Sequence, residues 1–243
     1  MKLEFFPSFQ NKDDYYETLS RSDQSWSAIF WHALALGGIL FLYGVVMGSY
    51  NSGLQALSSG LKMPVLFGLV LVICFPAFFM IQHVLGSQLR IKQMVSILLA
   101  GYVLSASIML SFSPIVVFFM ITGDNYPFLK LLHVAIFIFS GFFGMRTVTE
   151  ALLYACDQKG VYPKIGVKVF RIWIFIMAFV AAQLSWTLRP FIGDKNEPFQ
   201  LFRDRRGNVY QTLAHSVGQI VTGQPASNSP AVTDDPGELE NGQ

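Results

Sequence analysis

Apolar and polar positions divide the chain into five long apolar runs, at residues 28–50, 64–85, 95–122, 129–155 and 169–188, separated by short polar joints. Each run reaches the roughly 20 residues that a helix rising 1.5 Å per residue needs to cross a hydrocarbon core about 30 Å thick. Lipid offers the backbone no hydrogen-bond partner, so runs of this length satisfy it internally as helices, whereas barrel strands would be shorter and alternating. The pattern predicts an all-α fold: a polytopic transmembrane bundle of five spanning helices within residues 28–190. A polar segment, 1–27, precedes the bundle. An interfacial or amphipathic tail, 191–221, and a disordered acidic stretch, 222–243, follow it.

Composition agrees with that division. Hydrophobic residues make up 53% of the chain and charged ones 13%, too apolar a balance for an ordinary soluble domain, so most of the apolar surface must face lipid. The first 27 residues carry Glu4, Asp13, Asp14, Glu17 and Asp23, with neither a short apolar core nor a small-residue cleavage site. The first run is therefore expected to serve as an insertion signal that stays in place. A net charge of +2 does not suggest nucleic acid. The expected partners are the lipid bilayer and either a protein partner or a second copy. Cys74 and Cys156 have neither disulfide-framework count nor metal-ligand spacing, and read as small apolar packers.

Lys and Arg near the span ends assign an orientation. With the N-terminus cytoplasmic, the inner segments hold Lys2, Lys12, Arg21, Arg90, Lys92, Lys159, Lys164 and Lys168, and the outer loops hold Lys62 and Lys130. Five spans then put the tail outside, most simply across a bacterial inner membrane. Arg203, Arg205 and Arg206 argue the other way, since such a cluster favours an anionic cytoplasmic leaflet. Trp26 and Trp31 at the first span, and Trp173 and Trp186 at the last, are expected at headgroup level. Pro64 and Pro127 stand at helix starts, and Pro76 and Pro114 inside runs predict kinks.

Small residues mark expected close contacts. Gly44 and Gly48 form a GxxxG pair, preceded by Gly37 and Gly38, and Ser107 and Ser111 repeat the spacing on the third helix. Such pairs let another backbone approach, within the bundle or across a dimer face.

An ionisable group in hydrocarbon costs several kcal/mol unless paired or hydrated. Lys130, His133, Arg146 and Glu150 on the fourth helix are accordingly the candidate polar intramembrane site. Arg146 and Glu150, four residues apart, can pair on one face. They would then line a cavity, proton path or headgroup site, or else Arg146 snorkels to phosphate while Glu150 sits in headgroup water. His32 and His83 read, like His133, as interfacial or interhelical hydrogen bonders. HExxH, GxSxG, GxxxxGK[ST] and GxGxxG are all missing from the sequence. No catalytic residue, cofactor or metal ligand is therefore assigned. Five unequal runs also lack the repeat symmetry of a transporter.

After the last span, Leu-Arg-Pro-Phe-Ile-Gly at 188–193 and Pro-Phe-Gln-Leu-Phe-Arg at 198–203 read as a membrane exit with Pro-Phe anchors. Arg189 suits phosphate or the helix C-terminus, and with Arg203, Arg205 and Arg206 it forms the candidate interfacial or partner site. Val209, Leu213, Val217 and Ile220 then recur at helical spacing, as an apolar stripe that would lie on the membrane or dock on a partner.

The five-span plan, the polar N-terminus and Gly101-Tyr102 after the Arg90 and Lys92 joint resemble the Yip-type family of membrane-trafficking proteins. The likeness covers the bundle only, and the family's Gly-Pro-rich N-terminal motif is missing. The tail is similar to that of uncharacterised bacterial membrane proteins sharing this bundle. The resemblance implies architecture and no catalytic residue. Two function classes follow: a non-enzymatic scaffold, or assembly and recruitment factor, of a membrane complex; or a small transporter, channel or membrane-perturbing effector working through the fourth helix.

Overall fold

The computed structural model describes residues 15–17, 19, 25–86, 89–123, 126–157, 164–193 and 201. They form six helices beyond a short N-terminal turn: α1 (Trp26–Gly48), α2 (Gly53–Val84), α3 (Ile91–Ser111), α4 (Ser113–Thr122), α5 (Tyr126–Asp157) and α6 (Lys164–Leu188), with no strand among the described residues. Taken together, α3 and α4 make one crossing, and five helices are long and apolar enough to span a membrane.

The helix ends follow from local chemistry. Ser25 caps α1, its side chain accepting the Ser27 N–H, and Ser52 caps α2 by accepting the Gln55 N–H. At α3 the Gln93 side chain reaches back to accept the Arg90 N–H at 2.9 Å. Gly86, at φ +87°, takes the left-handed turn that closes α2 and donates to the His83 carbonyl.

Three expectations need correction. The second helix begins at Gly53, well before Pro64, so Pro64 is interior and Lys62 is a buried helix residue, not a loop residue. The stretch 53–63 is too polar to read as part of a span, yet Leu54, Leu57 and Leu61 point outward while Gln55, Ser59 and Lys62 turn inward. Trp173 is 3% exposed and packs on Phe78 at 4.6 Å and Phe170 at 5.8 Å, so it joins α2 to α6 inside the bundle and is not a headgroup anchor. Ser107 and Ser111 bond to carbonyls of their own helix, and the close contact of α3 is made by Gly101 and Ser105 instead. Elsewhere the run boundaries agree within a few residues, and the chain breaks at Phe112 with Pro114 in the first turn of α4.

Two small-residue seams organise the bundle. A Cβ on Gly44 would lie 2.5 Å from the Ser59 carbonyl oxygen, and one on Gly48 would collide with that of Gln55. The GxxxG pair therefore seats α1 on α2 within one chain. Gly37 and Gly38 have nothing within 4 Å of such a Cβ. On the other side Gly101 fits against Val148 and Gly144, and Gly144 fits against Ser105, whose hydroxyl donates to the Ser140 carbonyl at 3.1 Å. In a membrane, where burial of apolar surface does not drive helices together, such close approach and interhelical bonding supply the association. α1 packs chiefly on α2 and α3, α3 on α5, and α6 on α2. Phe30, Val72, Phe142 and Phe175 remain exposed, as lipid-facing side chains should be.

Candidate functional site

The inward face of the first turns of α2 carries Gln55, Ser59 and Lys62, spaced four and three residues apart and each under a tenth exposed. That spacing places them in one row along the helix. The row meets the chain leaving α6. Gln55 Nε2 donates to the Pro190 carbonyl at 2.9 Å, Ser59 Oγ to the Phe191 carbonyl at 2.5 Å, and Tyr126 Oη, from the start of α5, to the Ile192 carbonyl at 2.9 Å. Lys62 Nζ donates to the Pro190 carbonyl at 3.2 Å and to that of Leu201. A Cβ on Gly193 would stand 2.8 Å from Asn51, so the loop between α1 and α2 closes over the same segment. Four side chains from two helices thus read main-chain carbonyls of residues 190–192 and 201. Carbonyls without hydrogens to donate need donors when buried, and this cradle supplies them.

Aromatic rings border the cradle. Arg189 lies 3.7 Å from the Trp186 ring centroid, Lys130 lies 4.5 Å from that of Tyr126, and Tyr126 stacks on Tyr50 at 6.2 Å. Cations over aromatic faces gain from the ring quadrupole. Of the candidate polar residues, Lys130 therefore stands beside the cradle.

One turn on, His133 is 2% exposed and its Nδ1 shares a 2.8 Å hydrogen bond with Tyr43 Oη on α1. Phe137 meets the Tyr43 ring edge to face. The pair ties α1 to α5 through the bundle interior.

Arg146 and Glu150 belong to the opposite end. Lys130 and Glu150 are separated by twenty residues of one helix, about 30 Å, so the four candidate residues do not share a cavity. Arg146 Nε meets Glu150 Oε1 at 2.8 Å, with the side chains 64% and 35% exposed. Glu150 Oε2 accepts from Tyr16 Oη, also at 2.8 Å, and the Tyr16 ring lies 6.1 Å from that of Tyr154. Tyr16 is therefore fastened here, with Tyr15 and Leu19 also buried. Burial raises the Tyr16 hydroxyl above its ordinary pKa, and the bond to Glu150 and that carboxylate's charge raise it further. Burial alone pushes Tyr15 up to about 12.

Arg203, Arg205 and Arg206, the stripe at 209–220, the acidic stretch from 222 and the side chain of Cys156 lie outside the described residues. Cys74 is buried in α2. Among the described residues, no three His, Cys, Asp or Glu side chains gather as a metal site would require. Sequence reading missed Gln55, Ser59, Tyr126, Tyr43 and Tyr16. The polar row at i, i+4 and i+7 was a visible signal for the first two, whereas the three tyrosines carry none. Comparison with protein-family models, curated proteins and solved structures finds no match for this chain.

Proposed function

We propose that the protein is a non-enzymatic scaffold, an assembly or recruitment factor in a membrane complex, whose bundle presents the N-terminal segment at one end and the tail at the other to a protein partner or a second copy. One observation carries this reading: the buried polar side chains at the start of α2 and α5, and His133, bond to the protein's own chain. Gln55, Ser59, Lys62 and Tyr126 hold residues 190–192 and 201, and His133 holds Tyr43. A transporter or channel would instead aim such groups at a path for solute or protons. The proposal keeps the Yip-type likeness for architecture alone. It places the N-terminal end in the cytoplasm of a bacterial inner membrane and the tail outside, on the distribution of Lys and Arg.

Two measurements made together test the function. A photo-crosslinker at Gln211 in native membranes should give a discrete protein adduct that disappears when Arg203, Arg205 and Arg206 are replaced by Ala. Sealed vesicles holding the purified protein should pass protons and ions no faster than protein-free vesicles. Flux that Arg146→Ala with Glu150→Ala abolishes would replace the scaffold with the transporter or channel reading.

A further inference from the structure

The starts of α1 and α3 stand side by side: Lys92, in the first turn of α3, holds its ammonium 5.1 Å from the ring centroid of Trp26, the first residue of α1. Arg90, two residues earlier, is exposed. Among the described residues neither cation meets a carboxylate, and neither helix has an acid in its first turn. Helix starts carry the positive end of the helix dipole, where anions are favoured and cations are not. Arg90 and Lys92 therefore add positive charge where the backbone already supplies some, and a bound anion would offset both. Arg146 differs, because Glu150 neutralises it within the chain.

The same corner is apolar on its lipid side. Trp26, Phe30 and Leu34 follow one another at intervals of four, so they share one face of α1, and each is more than half exposed. Ile91, between the two cations, is exposed as well. We infer that Arg90, Lys92 and Trp26 form a site for the headgroup of an anionic phospholipid, whose acyl chain lies along Phe30 and Leu34. Such a lipid carries both chemistries in one molecule: an anionic headgroup for the two cations and hydrocarbon for the stripe beneath them. An acidic protein segment would answer the charge but not the stripe, and a zwitterionic lipid the stripe but not the net charge. The Trp26 ring fixes where the Lys92 ammonium stands, and an indole itself settles at headgroup level. The site lies at the end of the bundle that holds Tyr16 and does not depend on the scaffold reading.

The test uses the full chain in vesicles, with Trp31→Phe and Trp186→Phe, so that Trp26 is left to face lipid while Trp173 stays buried. Its fluorescence is quenched by acyl-brominated phosphatidylglycerol or by acyl-brominated phosphatidylcholine, each at the same fraction of a bilayer that contains both lipids. Phosphatidylglycerol should be preferred about fivefold or more, the contribution of one cation at a membrane surface. Arg90→Gln with Lys92→Gln should bring the preference to about one while quenching by phosphatidylcholine stays unchanged. Arg90→Lys with Lys92→Arg should retain it, since the headgroup reads charge. If the double variant alters quenching by phosphatidylcholine, Trp26 has itself moved, and Arg90→Gln alone takes its place and should lower the preference about twofold or more. Equal quenching by the two lipids with both cations present would overturn the site. So would a preference that survives their loss, or one that inorganic phosphate removes where chloride at equal ionic strength does not.

Discussion

The two ends of the bundle both fasten a terminal segment, and they do so by different chemistry. At the α2 start, buried donors grip carbonyls of residues 190–192 and 201. At the far end of α5, one tyrosine hydroxyl meets one carboxylate that is already paired with Arg146 near solvent. Carbonyls are common to every residue, so the hydrogen bonds of the first grip read main chain, while Ile192 is buried and Gly193 leaves no room for a Cβ beside Asn51. The second depends on a single side chain and a single charge. The tail end is thus held chiefly by its main chain, and the N-terminal end by one side chain.

The seam beneath the cradle offers the largest break in that comparison. Gly48→Leu would push α1 off α2 at the Gln55 carbonyl, a backbone atom with nowhere to go. Overpacking of this kind costs about 3 kcal/mol, so the midpoint of denaturation in mixed micelles should fall and residues 190–192 should lose their protection with it. Tyr16 at the other end should keep its protection from protease. Next comes the cradle alone. Replacing Gln55 by Leu and Lys62 by Met leaves buried carbonyls short of donors, at about 1–3 kcal/mol. A thiol at Ile192→Cys should then react with maleimide roughly 10- to 100-fold faster, as each 1.4 kcal/mol is tenfold. Global stability should change little or even rise, because an ammonium group is no longer withdrawn from water. Faster labelling matched by an equal fall in global stability would make the cradle a mere packing element.

The spans were legible because each holds a run of apolar residues longer than any soluble helix face requires, and Gly44 with Gly48 was legible because the pair lies on one helix. The partner of a small residue is harder to read. Ser107 with Ser111 and Gly101 with Ser105 have the same spacing, and only the presence of Ser140 and Gly144 on α5 decides which pair is used. Residues 53–63 were hidden for another reason: Gln, Ser and Lys there lower the apolar content of a helix whose other face still meets lipid. The four candidate residues of α5 looked like one site because they share a helix. The rise of that helix separates them. No pattern in the sequence pairs Tyr16 with Glu150 across more than a hundred residues.

The smallest effects belong to the N-terminal end and sharpen its dependence on one side chain. Tyr16→Phe removes the bond to Glu150 and should cost about 1 kcal/mol, the low side for a charged acceptor because that carboxylate is 35% exposed. Arg146→Ala should change protease protection less, since the guanidinium lies in solvent. The response to pH carries a definite sign. The docked Tyr16 has a raised pKa, so its contribution is complete below the ordinary tyrosine value near 10 and is lost as pH climbs through the docked value. Cleavage near residue 16 by an alkali-tolerant protease should stay constant from about pH 7 to 10 and then accelerate. Tyr16→Phe should cleave faster throughout and lose that upward bend, whereas a bend that persists in Tyr16→Phe would assign the transition to another group, beginning with the neighbouring Tyr15.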